Sequence, residues 1–381
     1  MTASWWLVLS AGVLGVGLGL AFAYFRAPRR GRLVPEVYVQ GLNHLLSDRS
    51  DEAVEAFLEA LRQHPESSDI LMALGRLFRR RGELERALRV HQYLLEQPGL
   101  SLSLRQEVLL EIARDYLKSG ILNRAESILK ELLHRDDRYV DGLLALAELY
   151  ELGADWPQAV AVRRRLETLG QGGQKAVIAL IYGEMAEASI ARGDVTAAER
   201  YLAEARQADP DGPRTALIEG RLAFAQGAWE RAAGIWATLL ESGAYPVLLL
   251  VVQPFLEALK RCQDQPACRV WRAHLLERCD DTLTVFRVAQ ALVEVEGVDA
   301  ARAYLHRALS QRKALPVLQL LLRLETPAPD LLPQMVEVIG ALPMPNPQFQ
   351  CAQCGYRTSE HHWRCPSCRS WGTFTGGALW T

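Results

Sequence analysis

Apolar positions recur at helical spacing along most of the chain, and Leu74–Leu95, LGRLFRRRGELERALRVHQYLL, shows the repeating unit most plainly. Leu74, Leu77 and Phe78 mark one helical stripe and Leu84 opens a second, with Gly82 supplying the turn between them. Small residues at Gly75 and Ala87 let the two helices approach closely. One such hairpin cannot bury its stripe alone, so neighbouring hairpins must stack on it and share a continuous core.

The neighbours are present. Leu74, Gly75, Phe78, Gly82, Ala87 and His91 fall at the offsets of a tetratricopeptide repeat, whose period is about 34 residues. Gly41, Ala53, Phe57, Ala60 and Pro65 mark a unit before it. Later units are marked by Tyr116, Gly120 and Ala125; by Leu146, Tyr150 and Ala159; by Gly193, Ala198, Leu202, Ala205 and Pro210; and by Gly220, Gly227, Ala232 and Trp236. After Tyr245 the pattern weakens. Helices are still expected at Val247–Lys260, Arg269–Arg278, Thr282–Glu296, Ala300–Ser310 and Pro316–Leu324.

Both ends differ from this middle. Trp5–Phe25 is an uncharged run of 21 residues, which as a helix spans roughly 30 Å, the thickness of a bilayer's hydrocarbon core. Arg26, Arg29, Arg30 and Arg32 follow at once, which places the rest of the chain on the cytoplasmic side of the membrane. The arginines lie on the wrong flank for a cleaved signal peptide. Ala11, Gly15, Gly19 and Ala23 line one face of the span and could admit a partner helix, a homodimer included.

The expected organisation is therefore all-α: a transmembrane helix over 1–25, a basic linker over 26–35, tetratricopeptide repeats over 36–245 and divergent helical repeats over 246–326. A proline-rich spacer over 327–347 and a small metal-binding domain over 348–381 complete it.

The 381 residues carry a formal net charge of −2, so a broad basic surface for nucleic acid is not expected. No phosphate loop, HExxH or GxSxG motif occurs, and no catalytic residue is assigned. Cys262, Cys268 and Cys279 lack ligand-spaced partners and are expected as buried thiols without a disulfide framework. In a repeat solenoid the first helix of each pair commonly lines the face that binds a partner segment. That geometry offers Tyr38, Leu42 and Leu45 from the first unit, Met72, Arg76, Arg79 and Arg80 from the second, and Arg114 from the third. Arg214 and Arg221 would extend the face.

The most specific signal is C-terminal. Cys351-Ala-Gln-Cys354-Gly355-Tyr356 and Cys365-Pro366-Ser-Cys368 form two CxxC turns, each aiming two thiolates at one cation. Four thiolates suit one zinc or iron ion. They also leave no vacancy for His361 or His362. Tyr356, Trp363, Trp371 and Phe374 can pack around a centre too small for a core of its own, so metal must contribute most of the folding free energy.

An anchor, a tetratricopeptide array and a rubredoxin-like CxxCGY…CPxC tail in this order resemble the lipopolysaccharide assembly protein B family of Gram-negative bacteria. The likeness is strongest in GLNHLL at Gly41–Leu46, in Leu74–Leu95 and in HWRCPSCRSW at His362–Trp371. The resemblance implies a non-enzymatic inner-membrane adaptor that restrains lipopolysaccharide synthesis. It implies as partners the deacetylase that commits precursor to lipid A, the membrane AAA+ zinc protease that degrades it, and other lipopolysaccharide assembly proteins. A different class of function, electron transfer through an iron-loaded tail, is the alternative that the thiolate set allows.

Overall fold

In a computed structural model of the chain, the structure describes residues 36–47, 49–277, 281–311, 314–324 and 349–376. The expected membrane helix, basic linker and proline-rich spacer, and Cys279, lie outside these residues. Among the described residues no helix is long and apolar enough to cross a membrane. The described helices fall into two compact units, one up to Asp137 and one from Arg138.

The first unit contains α1 (Glu36–Leu46), α2 (Ser50–Gln63), α3 (Ser68–Arg80), α4 (Leu84–Glu96), α5 (Leu102–Lys118) and α6 (Leu122–Arg135). They pair as consecutive hairpins, α1 with α2, α3 with α4 and α5 with α6. Ala53, Phe57, Ile70, Leu74, Leu77, Phe78 and Ala87 are buried together between them.

One rule of complementarity governs the hairpins. A small residue on the first helix faces the residue sixteen positions later on the second. A Cβ on Gly41 would lie 2.6 Å from the Phe57 ring, one on Gly75 2.3 Å from His91 Nε2, and one on Gly220 2.1 Å from Trp236 Nε1. Glycine is therefore required where a ring faces it. Where the later residue is leucine, as at Leu129 and Leu202, the small residues are Ala113 and Ala186, all four buried.

The turn between the two helices follows a second rule. Gly82, Gly120, Gly193 and Gly227 adopt φ between 77° and 81°. The fourth repeat makes the same turn with Ala154 at φ 53°.

The second unit continues the hairpins with α7 (Val140–Leu152), α8 (Trp156–Thr168), α9 (Gln174–Ala191), α10 (Val195–Ala208), α11 (Pro213–Ala225) and α12 (Trp229–Glu241). Asp155, Asp194 and Asp281 cap helices by accepting from the backbone N–H of Gln158, Ala197 and Thr284. Beyond Tyr245 lie a one-turn α13 (Tyr245–Leu248), α14 (Val252–Arg261), α15 (Pro266–Glu277), α16 (Thr282–Val295), α17 (Val298–Gln311) and α18 (Leu315–Leu324).

The single helix expected at Val247–Lys260 is thus broken. Pro254 has no N–H to donate, and it sits in the first turn of α14, where none is needed. Trp236, fully buried, meets Phe255 with ring centroids 6.2 Å apart, so the weakly patterned helices share the core of the clear repeats.

The reading of Cys262 and Cys268 as separate thiols is corrected. The short turn from the end of α14 into α15 brings their Cα atoms to 6.1 Å, and the two sulfurs are bonded.

Candidate metal centre and its docking face

The tail is a three-stranded antiparallel sheet in the order β2-β1-β3, from β1 (Phe349–Cys351), β2 (Arg357–Thr358) and β3 (Phe374–Gly376). Each CxxC closes a tight turn in which a backbone N–H reaches back to the first cysteine carbonyl. Gly355 N donates to Cys351 O at 2.9 Å and Arg369 N to Cys365 O at 2.9 Å. Both turn residues are left-handed, Gly355 at φ 76° and Arg369 at φ 62°. The second turn therefore places a long cationic side chain where the first has none.

All four sulfur ligand atoms lie within 4.8 Å of one another. Cys351 and Cys368 Sγ are 3.7 Å apart, as are Cys354 and Cys365 Sγ. A tetrahedron with metal–sulfur bonds of about 2.3 Å has edges of about 3.8 Å, so the four thiols fit one zinc-sized or iron-sized ion. The Thr373 hydroxyl 3.1 Å from Cys351 Sγ and the Ser370 hydroxyl 3.4 Å from Cys368 Sγ supply polar contacts to the sulfurs. The Thr373 hydroxyl is the main cause that lowers the Cys351 thiol to about 6, ahead of burial, which opposes it. Burial pushes Cys365 up to about 11.

The histidines take no part. His361 is wedged edge-on between Phe349 and Trp363, at ring centroid distances of 5.3 and 4.5 Å. Its Nδ1 is buried with no hydrogen-bond partner among the described residues.

The same module is docked on the first helices of the second unit's hairpins. Arg369 Nη1 donates to Glu148 Oε1 of α7 at 2.9 Å, and Trp371 Nε1 donates to Glu151 Oε2 at 3.0 Å. Arg364 Nη2 forms an ion pair with Glu151 Oε2 at 3.2 Å. Glu151, 3% exposed, also accepts from Arg163 Nη2 at 2.7 Å. Trp371 meets Trp156 edge-on at 6.3 Å, and Leu180 of α9 stands against Gly372. On α11, Arg214 lies 5.2 Å from the Trp363 ring while Nη1 donates to Leu180 O and Glu184 Oε1 at 3.0 and 2.9 Å.

Arg214, expected on an open partner-binding face, is therefore 2% exposed and holds the chain's own tail. Glu148 and Glu151 escaped the sequence reading. An acid set among Leu146, Leu149 and Tyr150 in an apolar register was the available sign.

In the first unit the expected partner residues divide. Tyr38 packs on Phe57 at 5.6 Å and Leu45 joins the same core edge, while Leu42 and Arg80 are exposed. Met72 is corrected to a core residue at 5% exposure, because α3 is enclosed on more sides than a single stripe implies. Arg79 is likewise turned inward, donating to Asp115 Oδ1 at 2.8 Å and pairing with Glu111. Arg76 and Arg114 remain half-exposed.

Comparison with known proteins matches residues 349–375 to the rubredoxin metal binding domain, and residues 38–98 and 184–246 to the tetratricopeptide repeat. A tetratricopeptide repeat protein from Parabacteroides merdae aligns over 76% of this chain and 97% of its own, at 16% identity and a TM-score of 0.38. Lipopolysaccharide assembly protein B of Haemophilus influenzae is 25% identical over 350 residues, covering 88% of this chain and 87% of that protein. The protein of the same name from Escherichia coli K12 is 30% identical over 346 residues, which is 88% of each chain. With that identity over 88% of the chain, and with the repeats and the metal-binding tail each matched by their own family, the chain belongs to the lipopolysaccharide assembly protein B family.

Proposed function

We propose that the chain is an adaptor in lipopolysaccharide assembly, anchored in the inner membrane by Trp5–Phe25 with its bulk on the cytoplasmic side. In this reading it engages the deacetylase that commits precursor to lipid A and brings it to the membrane AAA+ zinc protease. The observation that carries it is the likeness, over 88% of the chain, to proteins named for lipopolysaccharide assembly. The fold supports it chemically, since stacked hairpins offer extended faces for protein segments.

Tethering at the membrane raises the effective concentration of a bound client near a membrane protease without new contacts. Cys351, Cys354, Cys365 and Cys368 would hold zinc or iron, and the ion would supply most of the folding free energy of a module with, among the described residues, four buried in its own cluster. The chain's own part is then to present Arg364, Arg369 and Trp371 to α7.

A timed chase of the deacetylase in cells with and without this chain, with the protease active in both, tests the proposal. Decay at least severalfold faster when the chain is present is expected. Identical decay would discard the adaptor role.

A further inference from the structure

Buried charges occupy the seam between α3 and α5, at positions that are apolar in most other repeats, Asn43 in the first and the buried Glu151 in the fourth excepted. Asp115, fully buried, stands two residues after the small residue Ala113; Leu77, Leu149 and Leu222 stand there in other repeats. Arg79, four after Gly75, corresponds to Leu45, Leu117 and Phe224. Asp115 Oδ2 faces His91 Nδ1 at 2.5 Å, and Glu111, 1% exposed, gathers three guanidinium groups. Buried ion networks rarely stabilise a fold more than apolar packing of the same shape would. The result of this one is directional: it fixes arginines at the surface.

Arg76 Nε and Arg114 Nη1 donate to the same oxygen, Glu111 Oε1, at 3.0 and 3.1 Å. Their side chains are 51% and 39% exposed. A guanidinium carries five N–H donors in a fixed fork. Among the described residues Arg76 Nη1 and Arg114 Nε and Nη2 donate to nothing. Three guanidiniums against Glu111 and Asp115 leave a surplus positive charge, His91 aside. Tyr38, whose hydroxyl is pushed up by burial and the Asp69 charge and held back by that of Arg76, and the exposed Leu42 lie on α1. The chain's own tail demonstrates the docking chemistry on the second unit, where guanidiniums and an indole arrive at carboxylates. In the first unit the signs are reversed.

We propose that Arg76 and Arg114 form a preset clamp for the carboxylates of an acidic protein segment, whose neighbouring aliphatic side chain rests on Tyr38 and Leu42. The proposal rests on the adaptor reading and names the chemistry of the client segment. Arg114 keeps a two-nitrogen fork, Nε and Nη2, that suits a planar carboxylate, and Arg76 adds a single donor, Nη1.

The test uses the full chain in detergent and a fluorescein-tagged peptide alternating leucine and glutamate, followed by fluorescence polarisation. Binding that weakens with salt is expected, with at least a tenfold loss in the doubly substituted Arg76→Gln, Arg114→Gln protein. Leu42→Asp, which leaves the ion network untouched, should lose a similar factor, and Arg135→Gln should bind as the parent does. No binding by the parent, or equal binding by the doubly substituted protein, would overturn the clamp. So would capture of anionic lipid vesicles, or of a phosphoserine peptide, in place of the glutamate peptide. The peptide assay needs no deacetylase, so a clamp that binds while the cellular chase shows no effect removes the client's identity and leaves the clamp standing.

Discussion

At the scale of single residues, the tail carries a proton-sensitive group in His361. Burial first, then the charges of His362 and Arg214, push it down to about 4 from an ordinary 6.5. The folded tail thus holds a neutral imidazole that the unfolded tail protonates more readily. Its contribution to stability is fully present above pH 6.5 and is lost as pH falls toward 4. Between pH 7 and 5 the protease susceptibility of the tail should rise by up to about tenfold per pH unit more in the parent than in His361→Phe, one proton being worth about 1.4 kcal/mol per unit. Protonation of the metal thiolates affects both proteins alike, so equal pH responses would remove His361 from the account. Arg369 illustrates the other residue-scale compromise. A non-glycine left-handed turn costs about 1 kcal/mol, and the partly exposed ion pair with Glu148 at 2.9 Å offsets part of it.

At the scale of elements, docking of the second CxxC turn on α7 is separable from metal binding. Trp371 touches the array through Glu151 and Trp156 and is not a ligand. Trp371→Ala removes a half-buried aromatic surface and leaves Glu151 short of a donor, at a cost of about 2 kcal/mol to docking. Proteolysis within residues 349–376 should then accelerate by more than tenfold, while cobalt still binds with the absorption of a tetrathiolate site. Loss of cobalt binding in this variant would show that docking and coordination are one event.

At the scale of the whole molecule, the metal and the helices contribute independently to order. Within each unit the described helical hairpins are packed by their neighbours, whereas among the described residues the sheet of the tail has only Phe349, Cys351, Cys365 and Phe374 buried in its own cluster. Removing the metal with a chelator should expose all four thiols to alkylation and abolish the order of β1–β3, with the helical circular dichroism reduced by no more than a few per cent. A large fall in helicity on chelation would mean that the tail supports the array as well as resting on it.

The primary structure by itself determined the hairpin repeats and the metal site, because both depend on short-range spacing. A small residue and its ring or leucine lie sixteen positions apart, a turn residue recurs seven positions after the small one, and each CxxC brings two ligands together locally. What the sequence could not display were partners set far apart in the chain. Glu148 and Glu151 meet Arg369 and Trp371 across more than two hundred residues, and Arg214 reads as an open surface cation until Trp363 is seen over it. Met72 and Arg79 look like surface residues on a helical wheel, yet neighbouring helices enclose the first and buried carboxylates capture the second. Local periodicity tells which side of a helix is apolar; only the stacking of helices decides which polar side chains find one another, since charge pairing depends on distances that the spacing of residues along one helix does not contain.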